Sequence, residues 1–374
     1  MPTFDHSFTP PAASTLGASV DLDVREIEDA GLFEILQTPG AALTSWQFLD
    51  ALLDPAVTTF SFLEPLGQAR EVKTAVSGLF GRFVARAYAT RYLGLMHFYH
   101  VRKPPMRLMG VLRGELRRVP GHKGDMPDWI AWGPSVGMAI VEAKGCHDAK
   151  NPGAALARAY AQAGRAEIFV GGRRAPFKRF AIATRWGFTS PKASQPMLWV
   201  QDPEVDGEMT PEEEKGLEVA IARWHIATLL APLGHVRLAH ALTEMNRAYF
   251  ANRLQRERNA AIEALDATVL YRVDGDADTP QDKLVGGFVS RAGPLAGTIV
   301  GVEDQGALRR LGLRPTFVGL EVTSIREAIE GIPRQKEKIP IGQTVIAPRR
   351  LGSDGGGGWV VRLDQDESRV APLA

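Results

Sequence analysis

Residues 124–145, GDMPDWIAWGPSVGMAIVEAKG, hold two short strand-like runs separated by a glycine-bounded turn. Both are apolar except at one end: Asp128 opens the first, and Glu142 and Lys144 close the second. A β-strand alternates its side chains with period two. Glu142 and Lys144 therefore share a face with Ile140, while Ala139, Val141 and Ala143 face the other way. Asp128, Ile130 and Trp132 share one face of the first run. If GPSVG folds the runs into a hairpin, the end of the second lies beside the start of the first, and Asp128 meets Glu142 and Lys144. The separation of the two acids suits two strands of about five residues and a short turn.

A chain of 374 residues exceeds one hydrophobic core. Residues 1–63 are expected to form a loose arm and two short amphipathic helices, VREIEDAGLFEILQ and TSWQFLDALLD, the second capped by Thr44 or Ser45. GQAREVKTAVSGLFGRFVARAYATRYLG, residues 67–94, has apolar residues at spacings of three and four, which predicts a long helix with Arg82 and Arg86 one turn apart on a more polar face. Its two glycines suit close packing against a sheet. MRLMGVLRGELRRV reads as a strand, followed by the two runs above. Residues 151–170 read as an alanine-rich helix, and FKRFAIATRWGF and QPMLWVQD as further strands. Helix, three strands, helix, strand makes a mixed α/β domain over 64–203. Thr210, Pro211 and Glu213 form a capping box opening a helical segment over 204–266. Residues 267–374 carry six strand-like runs, among them LVGGFVS, TFVGLEV, QTVIAP and WVVRL, interrupted by the helical SIREAIEGI, and so predict a β-rich domain.

Two carboxylates at one strand end, with a backbone carbonyl between acid and lysine, make a seat for Mg2+ or Mn2+, hard cations that take oxygen ligands and keep waters. A water activated there, beside a lysine, can attack a phosphodiester while cation and ammonium offset the charge growing on phosphate oxygens. The plain alternative is a structural salt bridge at a strand end. Small Ala143 and Gly145 beside the pair favour the chemical reading, because they leave room for something to approach.

Pro127-Asp128 followed by Glu142-Ala143-Lys144 resembles the PD-(D/E)xK nuclease superfamily, whose restriction-endonuclease-like core has the same order of elements. The resemblance covers about 140 residues, roughly 64–203. It implies that Asp128, Glu142 and the Ala143 carbonyl bind the metal and that Lys144 positions or activates the water. It also implies a role for Gln162 on the following helix. One branch has tyrosine four residues later, where this chain has Ala166, and some members use an acid on the first helix, for which Glu71 is the candidate. The expected activity is hydrolysis of DNA, with RNA open. By analogy of fold the setting is bacterial genome or antiphage defence, with a homodimer, or a partner protein supplying ATPase or activation, as further expectations. A non-catalytic nucleic-acid-binding or assembly module on the same fold is the alternative.

The net charge of +1 gives the whole chain no field for nucleic acid, so basic surface must be local. Between Val101 and Gly124 lie seven Lys or Arg against Glu115, including Arg117, Arg118 and Lys123. Arg173, Arg174, Lys178 and Arg179 form a second cluster. Both flank the candidate centre, as phosphate-contacting residues do, though a solvated charge run accounts for each equally well. Trp129, Trp132 and Trp186 are expected in the core, and His122, His147 and Asp148 in surface or packing roles. The lone Cys146 excludes an intramolecular disulfide and a cysteine zinc site. No run is long and apolar enough for a membrane span, and the N-terminus lacks signal-peptide features, so a cytoplasmic protein without membrane attachment is expected.

Overall fold

The computed structural model describes residues 3–9, 19–38, 60–62, 70–147, 153–188, 196–202, 209–274, 283–290, 299–300, 315–332, 352–353, 357–362 and 369–372. The expected helix at TSWQFLDALLD and the strand at QTVIAP lie outside these residues. Among the described residues the chain is mixed α/β, with seven helices and several sheets.

The hairpin forms as its alternation predicts. β6 (Trp129–Gly133) and β7 (Gly137–Cys146) pair antiparallel, with Trp129 opposite Val141 and Gly133 opposite Gly137. Gly137 closes the turn at φ 73°, a left-handed conformation natural to glycine. The hairpin lies within a seven-stranded mixed sheet. Its order is β2 (Ser19–Asp21), β1 (Thr3–Thr9), β11 (Met197–Gln201), β10 (Lys178–Arg185), β7, β6 and β3 (His97–His100). β10 runs parallel to β7 and β1 parallel to β11; the other neighbours are antiparallel.

Each face of this sheet meets its own helices. Ala139, Val141, Ala143, Phe180 and Ile182 pack into the core beneath α1 (Val24–Gln37) and α2 (Arg70–Leu93). Ile130, Trp132, Met138 and Ile140 pack into a second core with α4 (Pro211–Leu230) and a small antiparallel sheet. That sheet runs β9 (Arg173–Arg174), β8 (Ala166–Val170), β5 (Gly114–Arg118), β4 (Met106–Met109). α3 (Gly153–Ala163) lies on the same side, against β7 and β10.

The structure corrects three sequence expectations here. MRLMGVLRGELRRV is two strands, because Gly110 sits against the Ala248 carbonyl and the chain reverses before Gly114. Both belong to the small sheet; the strand beside β6 is HFYH, which follows the predicted helix and is not among the strands expected from the sequence. The helix expected over 151–170 ends at Ala163. Beyond Gly164, Ala166, Ile168 and Val170 are buried in alternation, the pattern of a half-buried strand.

The capping box at Thr210 is present: Glu213 N donates to Thr210 Oγ1 at 3.2 Å, and Thr210 N to Glu213 Oε2 at 2.9 Å. α5 (Val236–Arg247) and α6 (Ala251–Asp266) follow. The C-terminal sheet includes β12 (Tyr271–Asp274), β13 (Leu284–Ser290), β14 (Pro315–Glu321) and β16 (Gly358–Arg362), with β15 (Gly352–Ser353) and β17 (Arg369–Pro372) at its margins. α7 (Val322–Glu330) follows β14, as SIREAIEGI predicts.

The glycines of α2 behave differently from one another. A Cβ on Gly81 would meet the Gly145 backbone at 2.5 Å, whereas one on Gly78 would meet open space. Gly145 itself lies against α2, where a Cβ would stand 1.8 Å from the Ser77 carbonyl. Space expected beside Gly145 for a ligand is therefore filled by helix backbone. Gly145→Ala should cost about 1–3 kcal/mol or more, because neither backbone yields without moving α2. An unchanged urea midpoint would show that α2 does not press on β7 there.

Candidate active site

At the open end of the hairpin the backbone itself links the two acids. Asp128 N donates to Glu142 Oε2, and Ala143 N donates to Asp128 Oδ2, both at 2.9 Å. Lys144 Nζ lies in close contact with Glu142 Oε1 and donates to Gln162 Oε1 at 2.9 Å. Gln162 Nε2 in turn donates to the Met126 carbonyl at 2.7 Å. Thus Asp128, Glu142, Lys144 and Gln162, from a loop end, a strand and a helix, form one hydrogen-bonded cluster around Ala143.

Glu142 is 0% exposed, and Lys144 32%. Burial, joined by the neighbouring charge of Asp128, pushes the Glu142 carboxyl up to about 8 against the opposing pull of Lys144. Each oxygen of the two carboxylates named above has a polar partner, and a carboxylate oxygen accepts in two directions, so each retains a lone pair. The Ala143 carbonyl lies on the same strand edge as its amide, which points at Asp128. Two carboxylates and one carbonyl fit a Mg2+-type cation that keeps waters, and its charge would relieve the buried Glu142. Among the described residues no group of three or more His, Cys, Asp or Glu side chains is arranged for a metal, so any cation here would rest on two carboxylates, a backbone carbonyl and waters.

The sequence reading missed the residues behind Asp128. Arg82 Nη1 pairs with Asp128 Oδ1 at 2.8 Å, while its Nη2 pairs with Glu34 Oε1 at 2.5 Å. Glu34 also receives Arg86 Nη1 at 3.2 Å and Trp129 Nε1 at 2.9 Å, and meets His100 Nε2 at 3.1 Å. Arg86, expected on a polar face, is 1% exposed and also donates to Gln37 Oε1 at 2.7 Å. Burial alone would raise the Glu34 carboxyl, but His100, Arg82 and Arg86 outweigh it and hold it well below the usual carboxylate range. The legible signal was a lone acid within GLFEILQ, where a solvated glutamate has no place.

The expected nucleic-acid contacts separate. Lys178 is on the opposite face from Lys144 and pairs with buried Asp202 at 2.9 Å. Arg173 pairs with Glu213 at 2.6 Å, Arg174 with Glu167 at 3.2 Å, and Arg117 closely with Glu115. Arg118 ends β5, Lys123 is exposed in the following loop, and Arg179 shares the Lys144 face. Trp129, Trp132 and Trp186 are fully buried core residues, as expected. His122 is exposed, His147 Nδ1 bonds the Ser77 hydroxyl at 3.0 Å, and Cys146 is half-buried. The Glu71 side chain and Asp148 lie outside the described residues.

No helix among the described residues is long and apolar enough to cross a membrane. Comparison with protein-family models, with curated proteins and with solved structures gives no match to this chain.

Proposed function

We propose that the chain is a metal-dependent nuclease that hydrolyses DNA phosphodiester bonds on a restriction-endonuclease-like core. The observation that carries this reading is Lys144 Nζ held between Glu142 and Gln162, with Glu142 also bonded to the Asp128 amide. Asp128, Glu142 and the Ala143 carbonyl would hold Mg2+ or Mn2+, which when bound supplies Lewis-acid polarisation of the phosphate.

The remaining work falls to the chain. Gln162, anchored on the Met126 carbonyl, accepts from Lys144 and fixes where its ammonium points. Lys144 orients the attacking water and offsets negative charge as it grows on the phosphate oxygens. Arg82 positions Asp128 from behind and is itself braced by buried Glu34.

The test is incubation of plasmid and linear DNA with the purified protein and with Lys144→Ala, in Mg2+, Mn2+ or EDTA. Cleavage is expected from the wild type in either metal and not in EDTA, with a loss of about 10²-fold or more in the variant. Equal cleavage by both proteins would sink the assignment. One observation favours a second reading, a nucleic-acid-binding or assembly module: Arg82 and Lys144 already pair with both carboxylates. DNA binding without cleavage in any metal would favour it.

A further inference from the structure

Beside the candidate centre lies an open cleft of about 640 Å³. Lys123, Arg165, Arg174 and Arg179 line it, against the single carboxylate of Glu167. Tyr160 forms part of its wall, on the last turn of α3, with 40% of its surface exposed. Neither Tyr160 nor Arg165 figured in the reading of the sequence.

The cleft is tied to the centre in two ways. Arg165 Nη1 donates to the Asp125 carbonyl at 2.8 Å, one residue from the Met126 carbonyl that Gln162 holds. The loop into Asp128 therefore separates cleft from centre and is clamped from the cleft side. The sheet supplies the second link. Arg179 is paired with Ile140 and Ala181 with Glu142, so Arg179 projects from the same face as Glu142, one strand over and two residues back. Two residues of strand span about 7 Å, close to the reach of one nucleotide along an extended strand.

Arg174 meets Glu167 at 3.2 Å and Arg179 stacks over Phe177 at 4.5 Å, while Lys123 is exposed. A pocket of this size suits a single nucleotide unit and is too small for a duplex. Cations with an aromatic ring make a phosphate-and-base site, and a base can lie on Tyr160 only when unpaired.

We infer that this cleft seats an unpaired nucleotide of a DNA strand, its phosphate among Lys123, Arg165, Arg174 and Arg179 and its base against Tyr160. The inference takes from the nuclease reading that the ligand is DNA. Clamped loop and shared sheet face place that nucleotide one or two units from the bond at Lys144, so the preferred substrate has a single-stranded stretch or frayed end.

The experiment is fluorescence anisotropy in EDTA with a labelled eight-residue thymidylate strand carrying a 5′-phosphate. Thymidine monophosphate, inorganic phosphate and an equal-length duplex are the competitors. Tyr160→Ala should weaken strand binding about fivefold or more. The pair Lys123→Gln with Arg174→Gln should also lower the slope of log affinity against log salt by about 1.4. All three side chains are exposed, and circular dichroism checks that the variants fold. Thymidine monophosphate should compete better than inorganic phosphate, and the duplex worse than the strand. No binding by the wild type, wild-type affinity in both variants, or preference for duplex would each overturn the inference. Because binding is read without metal, strand binding together with absent cleavage in Mg2+ and Mn2+ would sink the nuclease reading and leave the cleft standing. Cleavage with unaltered binding in the variants would do the reverse.

Discussion

Glu34→Ala should lower the stability of the folded chain by about 3–5 kcal/mol, the loss seen when one partner of a buried ion pair is removed. Glu34 is the common acceptor of Arg82, Arg86 and the Trp129 indole, and Arg86 is left buried with Gln37 when it goes. Urea unfolding at pH 7 reads the loss; a change under 1 kcal/mol would mean that the network is not what holds α1 to α2. The pH profile carries a second signature. The folded carboxyl is held below its ordinary value of 4.5, so its contribution is full above that pH and is lost as pH falls toward the folded value. Glu34→Gln should flatten that acid limb. Arg82 also loses its brace, so any cleavage should weaken in Glu34→Ala at temperatures where the protein remains folded.

Glu142→Gln should separate activity from stability. If the proposed mechanism holds, cleavage should fall on the order of 10³-fold or more, because an amide oxygen would replace the charged metal ligand proposed beside Lys144. Stability should move the other way. The folded carboxyl, at about 8, keeps a proton that the unfolded chain releases near 4.5. Wild-type stability therefore falls as pH rises from about 4.5 to about 8, and glutamine, neutral throughout, abolishes that fall. In EDTA the variant should gain on the wild type steadily across this window. A variant less stable than wild type at pH 8 would show that the Lys144 ion pair outweighs burial and Asp128.

The two acids illustrate opposite uses of burial. Glu34 is buried among cations and is most stable charged; Glu142 is buried beside another acid and is strained when charged. Natural sequences tolerate the second arrangement where function requires it.

The sequence alone pointed to the hairpin and to Glu142 meeting both Asp128 and Lys144, since period-two alternation and a glycine-bounded turn are local properties. It also placed Gln162 on a helix and marked the Thr210 cap, both set by local patterning, whereas the reach of Gln162 to Lys144 depends on how that helix packs. Only the tertiary structure decided what lies behind and beside that end. Arg82 reaches Asp128, and Glu34 reaches Arg82, across 46 and 48 positions of chain, so no local pattern could join them. Gly145 reads as open space in sequence and is closed by the Ser77 carbonyl, because helix packing and not side-chain size fixes what fills a gap. Lys178 and Arg179 are neighbours in sequence and lie on opposite faces of the sheet. One is spent on Asp202, and the other faces the cleft beside the candidate centre.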